Sequence, residues 1–351
     1  MEPQLPPSVL AEVCRAFRLG TPSSVTYLPD GRVNDNFLVR TDTGSYVVRR
    51  SHTRRTLESV TFEHALMGHL SRRGFPTPPL RTMIEGTSLL ALDEKIYRVT
   101  TFVSGERCHS EEDVRVCART LAFYHRLVAD FGLPARPGFV PIHEELAAGL
   151  AQLPACESLR APSASKRPLL RPTEPHPLGS ADPLPPGWPS AFRKSLTTTC
   201  SRLAAVEPPP AIVVHASCRR ESFVLQDGQV AAMLDYDNAH VDARTLDLAI
   251  ALLSFAVVRP GKTALDLGRA AAFMAAYAVV TPIAGTELTL ISWYIRARIL
   301  KRALARYRHH RAVPQRSRAA KLQRATKLLQ WLDEHEEAFR SAIRTEEHAR
   351  G

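Results

Sequence analysis

The sequence predicts an α+β fold in two lobes, a small antiparallel sheet lobe followed by a mostly helical lobe. Short runs rich in β-branched and aromatic residues alternate with turns near the start of the chain, as antiparallel strands do. Helical periodicity dominates after that region. Between the two, Ser104-Gly105-Glu106 has the composition of a hinge. We therefore expect the sheet lobe at 1–103 and the helical lobe at 104–345.

Five strands and one long helix are predicted in the sheet lobe, after a first helix at about 8–18. The strands are expected at 24–28, 36–42, 45–50, about 82–92 and about 95–103. Thr43-Gly44 provides a hairpin turn between the second and the third. The long helix is expected at about 57–72, where apolar residues recur on one stripe.

The helical lobe begins with a predicted core helix at about 111–129. Three short strands interrupt the helices at 212–215, 223–228 and 230–236. The segment 154–189 contains ten of the 27 prolines, together with many Ser, Arg and Ala. Such a composition is typical of a flexible insertion rather than of packed structure.

The overall composition is that of an ordinary globular protein, with 44% hydrophobic and 23% charged residues. The six cysteines form no C-x-x-C pair, which suits a reducing cytoplasm. The N-terminus has no signal-peptide pattern, and the apolar runs 246–258 and 270–280 are too short to cross a bilayer. We therefore expect a cytoplasmic protein without a membrane span; the sequence does not indicate its oligomeric state.

The formal charge of +11 is concentrated in the segment 293–331, which has twelve Arg and Lys and no acidic residue. One interpretation is a nucleic-acid or membrane surface. The alternative is a solvated helix pair, broken at Pro314, whose apolar positions Ile295, Ile299 and Leu304 face inward. We favour the helix pair and expect no nucleic-acid partner, because no aromatic interleaving or nucleic-acid motif accompanies the charge.

Two opposite charges and two asparagines mark a candidate anion site in the sheet lobe. Arg49 closes the third strand in Y-V-V-R, and Glu63 on the next helix is spaced to pair with it. Each residue alone would be read as a surface charge. Asn34 and Asn36 lie in the preceding hairpin segment G-R-V-N-D-N-F-L-V, where their amides either face phosphate or stabilise a turn.

Several ordered motifs together resemble one family of enzymes. The runs V-N-D-N-F-L-V, Y-V-V-R and R-R-G-F-P-T-P, with Glu63, resemble the N-lobe of the aminoglycoside phosphotransferase and choline kinase-like family. Type II homoserine kinases and N-acetylhexosamine 1-kinases are the most similar groups. The family's H-G-D-x-H-x-x-N loop falls on H-A-S-C-R-R-E-S (215–222), and its I-D-[FW]-[DE]-x-A motif on L-D-Y-D-N-A (234–239). The resemblance covers about 25–310 and implies a two-lobed protein-kinase-like fold.

The resemblance implies ATP and Mg²⁺ as cofactors and assigns roles to individual residues. Arg49 and Glu63, with Asn34 and Asn36, would bind the nucleotide. The metal-binding carboxylate would be Asp235, and Asp237 would be a second ligand or a loop organiser. Asp247 would steady the catalytic loop through His215.

The chain departs from the family in the catalytic loop itself. Ser217 stands at the catalytic aspartate, Ser222 at the metal-binding asparagine and Arg219 at the second histidine. A serine hydroxyl does not accept a proton at neutral pH as a carboxylate does, and general-base help is worth about 10²- to 10⁴-fold. Glu221, the only carboxylate in the loop, could replace the base if the backbone rearranged. Cys218 is either a reactive thiol or a small buried residue.

Two functions therefore remain open from the sequence. In the first, the protein is a kinase that phosphorylates a hydroxyl of a small molecule through Arg49, Asp235 and Mg²⁺. In the second, it is a pseudokinase with a nucleotide-binding or regulatory role. Because the helical lobe is basic and the loop has gained Arg219 and Arg220, we expect any acceptor to be neutral or anionic.

Overall fold

The computed structural model describes residues 3–29, 34–52, 55–132, 135–153, 184–185, 187–207, 209–259, 261–312 and 316–344. Most of the proline-rich segment predicted at 154–189 lies outside these residues, so its character stays a prediction. The strands are β1 (Pro22–Leu28), β2 (Asp35–Thr41), β3 (Gly44–Arg50), β4 (Leu90–Leu92), β5 (Lys95–Thr101), β6 (Ala211–Val214), β7 (Phe223–Gln226), β8 (Gln229–Met233) and β9 (His240–Ala243). The helices are α1 (Pro7–Phe17), α2 (Leu57–Arg72), α3 (Glu111–Val128), α4 (Ile142–Ala151), α5 (Trp188–Ala204), α6 (Thr245–Phe255), α7 (Leu267–Ala278), α8 (Gly285–Ala312), α9 (Arg316–Glu334) and α10 (Glu336–Ile343).

The predicted α+β fold is confirmed: a five-stranded antiparallel sheet comes first and helices dominate the remainder. The strand order is β1-β2-β3-β5-β4. The fourth strand is much shorter than the predicted 82–92, because β4 contains only Leu90–Leu92. A turn at Glu85-Gly86 takes its place, with Gly86 in the left-handed region at φ 83°.

The large sheet has one apolar face. Phe37 of β2, Val48 of β3 and Val99 of β5 pack there with Val13 and Phe17 of α1 in one buried cluster. Side chains alternate along a strand, so the sequence neighbours of these residues point to the opposite face. That opposite face carries the polar residues of the candidate site.

The chain divides into two compact units. The first comprises residues 1–139, 212–241 and 276–282, and the second comprises 140–211, 242–275 and 283–351. The first unit therefore includes α3 and the β7–β8 hairpin as well as the large sheet. The predicted lobe boundary at 103 stays a prediction.

Within the first unit, the predicted hinge passes close to the β7–β8 hairpin. Glu106 N donates to Leu225 O at 2.8 Å, and Leu225 N donates back to Glu106 O at 2.9 Å. A Cβ on Gly105 would collide with the Leu225 carbonyl oxygen. Glycine at this position is therefore required by the close approach of two backbones.

The second unit contains the basic segment, which runs along α8 and α9. Its apolar positions Ile295, Ile299 and Leu304 are buried, as the helix-pair interpretation expects. Arg296 is buried as well, and its Nη1 donates to Asp333 Oδ1 at 2.5 Å. Across the described ranges, none of the helices combines the length and apolarity needed to cross a membrane.

Candidate functional site

Three polar side chains form a row across the sheet, on the face opposite the apolar core. The β2–β3 register pairs Asn36 with Arg49, and the β3–β5 register pairs Arg49 with Arg98. Directly paired residues on neighbouring strands point to the same face. Arg49 Nε donates to Asn36 Oδ1 at 2.7 Å. Strand register alone therefore sets two guanidinium groups side by side.

Glu63 of α2 is buried against this row. Thr56 caps the start of α2 by accepting a hydrogen bond from the backbone of the first turn, and the buried face of the helix includes Glu63. The closest cation to Glu63 is Arg98, whereas Arg49 Nη1 lies 3.8 Å from Oε1 and Arg136 Nη2 lies 3.5 Å from Oε2. The predicted contact between Arg49 and Glu63 is thus the longest of three. Removing a carboxylate from water costs several kcal/mol, so it needs such partners.

Asp237 is the second carboxylate of this cluster. It lies in a short 3₁₀ turn, Tyr236–Asn238, and accepts hydrogen bonds from Arg49 and from Asn34 Nδ2, the latter at 2.7 Å. Burial raises the pKa of Asp237, but Arg49 and Arg98 outweigh burial and hold that pKa at about 2. Asp237 is therefore hydrogen-bonded to two side chains, and its predicted role as a second metal ligand or a loop organiser stays a prediction.

Both asparagines predicted to face phosphate bind protein groups. Asn34 donates to Asp237 and also accepts from the backbone N–H of His52 at 3.0 Å. Asn36 accepts from Arg49. The residues just before Asn34 in the predicted phosphate-covering segment, 30–33, lie outside the described residues. The described part of that segment is therefore hydrogen-bonded to a group of buried charges. We call this group the ionic cluster; its members are Glu63, Asp237, Arg49, Arg98 and Arg136.

The third of those arginines, Arg136, was not anticipated from the sequence. Its Nε donates to Ser59 Oγ of α2 at 2.9 Å. Its Nη1 donates to the carbonyl oxygens of Asp237 and Ala239 at 3.0 and 2.9 Å. Burial lowers the pKa of Arg136 to about 10, which still leaves it charged at neutral pH. Arg136 therefore links the turn that contains Asp237 to α2 through hydrogen bonds.

The loop that follows β6 contains residues 215–222, which the resemblance aligns with the family's catalytic motif. His215 is fully buried, edge-on to the rings of Tyr124 and Tyr236, with centroids 6.0 and 4.8 Å away. Its Nδ1 accepts a hydrogen bond from Ser217 N at 3.2 Å. Ala216, at the motif's glycine position, adopts a left-handed φ of 57°. The loop thus keeps a backbone conformation that favours glycine although the glycine has been replaced.

The hydroxyl at the catalytic position is already engaged. Ser217 is buried, and its Oγ accepts a hydrogen bond from Asn238 Nδ2 at 2.8 Å. Ser222, at the motif's asparagine position, donates its own hydroxyl to Ser217 O at 2.6 Å. Asn238 was not singled out from the sequence, although it is the variable position of the quoted L-D-Y-D-N-A motif. The Ser222 hydroxyl therefore bonds within the loop, whereas the Ser217 hydroxyl connects the loop to the turn Tyr236–Asn238.

Asp235, the predicted metal ligand, is paired with an arginine. Arg219 Nη2 donates to Asp235 Oδ2 at 3.2 Å, and both side chains are 32% exposed. Asp235 adopts a left-handed φ of 74° immediately before the 3₁₀ turn. Three residues of the L-D-Y-D-N-A motif therefore form hydrogen bonds with three different side chains. Asp235 bonds to Arg219, Asp237 to Arg49 and Asn238 to Ser217.

The remaining loop residues, Cys218 and Glu221, differ in burial, and Asp247 belongs to another element. Cys218 is completely buried, as the small-residue interpretation expects, whereas Glu221 is exposed. Asp247 is buried in α6, within the second compact unit. Its predicted role of steadying the loop through His215 stays a prediction.

The residues present do not fit the Mg²⁺ site that the resemblance implies. Mg²⁺ requires a near-octahedral set of oxygen ligands at about 2.0–2.1 Å, usually one or two carboxylates with substrate oxygens and water. Here Asp237 is bound by Arg49, Asp235 is bound by Arg219, and a serine hydroxyl replaces the asparagine oxygen. Over the part of the chain that is described, no three His, Cys, Asp or Glu side chains group as metal ligands.

The protein has the fold of a kinase-like phosphotransferase. It combines a five-stranded antiparallel sheet, an arginine–carboxylate cluster on the polar face of that sheet and the loop after β6. Residues 24–283 match the family described as the phosphotransferase enzyme family. The chain belongs to that family.

Similarity to individual proteins is weaker. A homoserine kinase of Xanthobacter autotrophicus is 26% identical over 304 residues, which are 86% of this chain and 85% of the kinase. A structure of an amicoumacin kinase in complex with AMP-PNP, Ca²⁺ and Ami superposes with a TM-score of 0.68 at 14% identity, covering 92% of each chain. An aminoglycoside phosphotransferase of Alicyclobacillus acidocaldarius gives a TM-score of 0.64 at 17% identity, over 97% of this chain and 98% of the other. The two structures support the fold alone.

Proposed function

We propose that this chain is a pseudokinase: a member of the phosphotransferase family that binds nucleotide and has lost efficient phosphoryl transfer. One observation carries the proposal. Ser217 stands where the family has its catalytic aspartate, and its hydroxyl accepts a hydrogen bond from Asn238. With no carboxylate there to take the acceptor's proton, transfer loses about 10²- to 10⁴-fold.

The ionic cluster supports nucleotide binding. It contains three guanidinium groups and two carboxylates, Glu63 and Asp237, so one positive charge is left over when both acids are ionised. Arg49 has the most exposed side chain of the three arginines, at 16%, against 7% for Arg98 and 0% for Arg136. Since guanidinium groups bind phosphate oxygens well, Arg49 is the residue that would contact the phosphates of ATP.

A slow small-molecule kinase is the second candidate. The homoserine kinase of Xanthobacter autotrophicus aligns along most of both chains, which favours a hydroxylated amino acid as acceptor. Transfer by this fold depends mainly on positioning, so some turnover could survive without a base. In this case the acceptor would be neutral or anionic, because Arg219 and Arg220 add positive charge beside the transfer site.

Calorimetry with ATP tests the binding half of the proposal. The proteins compared are the wild type, Arg49→Gln and, as a control with the same charge change, Arg40→Gln. Arg40 is exposed on β2. We expect the wild type and Arg40→Gln to bind ATP alike and Arg49→Gln to bind at least about tenfold more weakly, from the loss of a charge-assisted contact. Absence of ATP binding by the wild type would contradict the proposal.

The transfer half is tested by ³¹P NMR with ATP and homoserine, on the wild type and on Asp235→Asn. We expect ATP to remain intact in the wild type while it is bound. Formation of a phosphate ester that depends on Asp235, lost in Asp235→Asn, would instead favour the slow kinase.

A further inference from the structure

We propose that Arg219 is a built-in cation that takes the place of a divalent metal at Asp235, so that a nucleotide binds this site without one. The inference rests on the proposed nucleotide binding. It concerns a residue that the family motif does not contain, since Arg219 stands at the second histidine of H-G-D-x-H-x-x-N.

Backbone hydrogen bonds hold the two residues next to each other. Ser222 N donates to Arg219 O at 2.9 Å, and Leu234 N donates to Ser222 O at 2.7 Å. The segment that begins at Arg219 and the segment that ends at Asp235 are therefore tied side by side. The 3.2 Å contact between the guanidinium and the carboxylate follows from this arrangement.

The guanidinium opposes metal binding by its charge. A divalent ion at the Asp235 carboxylate would lie within about 5 Å of a fixed positive charge, and this repulsion alone is worth about tenfold in affinity at a solvent-exposed site. The other groups expected to help are engaged, since Asp237 accepts from Arg49 and Ser222 donates to a carbonyl. Asp235 is therefore paired with a guanidinium that a metal ion would have to displace.

The same guanidinium can serve an anion. Arg219 uses Nη2 for Asp235, and a guanidinium has five N–H donors in a fixed fork. Its remaining donors suit phosphate oxygens, which Mg²⁺ would otherwise neutralise. Arg219 thus bridges a carboxylate and a polyphosphate in the way a metal ion would.

Titration with Mn²⁺ alone, followed by electron paramagnetic resonance, tests without any nucleotide whether Arg219 opposes metal binding at Asp235. The proteins are the wild type, Arg219→Gln, Arg219→Lys, Asp235→Asn, the double variant Arg219→Gln/Asp235→Asn and the charge control Arg40→Gln. We expect Arg219→Gln to bind Mn²⁺ about tenfold more tightly than the wild type or Arg40→Gln. The gain should disappear in the double variant. Arg219→Lys, which keeps the charge, should behave as the wild type does. Equal Mn²⁺ binding by wild type and Arg219→Gln, or wild-type binding that Asp235→Asn abolishes, would overturn the inference.

Calorimetry with ATP in EDTA and in Mg²⁺ tests whether the site binds nucleotide without a divalent metal. We expect the wild type to bind ATP equally in both buffers. Arg219→Gln should bind weakly in EDTA and regain affinity with Mg²⁺. A wild type that binds ATP only with Mg²⁺ would overturn the inference while leaving the proposed function intact. If no protein binds ATP in either buffer, the proposed function fails, and with it the claim of metal-free nucleotide binding.

Discussion

Arg98, rather than Arg49, is the closest cation to Glu63. Both arginines lie on the same face of the sheet, one strand apart. Arg98 is nearly as buried as Glu63, whereas Arg49 is more exposed and is bound mainly by Asp237 and Asn36. This division suggests different tasks, with Arg98 stabilising the fold and Arg49 available to an anion.

Loss of the Glu63 charge should destabilise the first compact unit strongly. Glu63→Gln leaves three buried guanidinium groups with one carboxylate, and breaking a buried ion pair in this way costs about 3–5 kcal/mol. Glu58→Gln, an exposed position on the same helix, is the control and should cost much less. Urea denaturation of the two variants measures the difference. Equal urea midpoints for the two variants would mean that the charge of Glu63 does not stabilise the fold.

Arg136 should not be replaceable by lysine. Its fork donates at once to Ser59 and to the carbonyls of the turn around Asp237, and a single ammonium group cannot span those acceptors. We expect Arg136→Lys to lower the free energy of unfolding by about 2–3 kcal/mol through unsatisfied buried acceptors. Arg119→Lys, at a half-exposed position on α3, is the matched control in thermal denaturation. A loss no greater than that of the control would contradict the anchoring role.

Acid should destabilise the fold through His64. Burial, aided by Arg98 and Arg49, lowers the pKa of His64 to about 3, so the folded protein keeps the ring neutral. The unfolded chain binds this proton near pH 6.5, and stability is therefore lost as the pH falls below about 6.5, by about 1.4 kcal/mol per pH unit from this group. His64→Asn should show a shallower decline in urea denaturation between pH 6.5 and 5. An NMR titration placing the folded pKa of His64 near 6 would contradict this.

Replacing Ala216 by glycine should stabilise the fold. Ala216 has a φ of 57°, where a Cβ costs about 1–2 kcal/mol, partly offset by the greater freedom of glycine in the unfolded chain. We expect Ala216→Gly to raise the free energy of unfolding by about 0.5–1 kcal/mol. Ala118→Gly, in the middle of α3, should instead lower it. A destabilising Ala216→Gly would show that the Cβ makes a packing contact worth more than the strain.

The sheet was predictable because its strands are marked locally. Alternating apolar residues and the Thr43-Gly44 turn define β2 and β3 without knowledge of tertiary contacts, and the register of this hairpin already sets Asn36 opposite Arg49. The fourth strand was predicted too long because Glu85-Gly86 forms a turn within an otherwise apolar run.

Much of the site was not predictable, because its members meet only through tertiary contacts. Arg98 becomes recognisable once the β3–β5 register is known, and no local pattern distinguishes Arg136 from any other loop arginine. Motif positions identified Asp235, Asp237 and Ser217 as residues of interest. The partners of these residues (Arg219, Arg49 and Asn238) depend on how two loops pack together.

The most direct test of the central claim introduces the family's residues at three positions of the loop. ³¹P NMR would follow phosphoryl transfer from ATP in Mg²⁺ by the wild type and by the triple variant Ser217→Asp/Arg219→His/Ser222→Asn, with homoserine, an N-acetylhexosamine, choline and kanamycin as acceptors. We predict that the wild type binds ATP without transfer and that the triple variant gains transfer of at least about 10²-fold to one acceptor, the worth of a general base. Rapid transfer by the wild type to any acceptor, abolished by Asp235→Asn, would contradict the account.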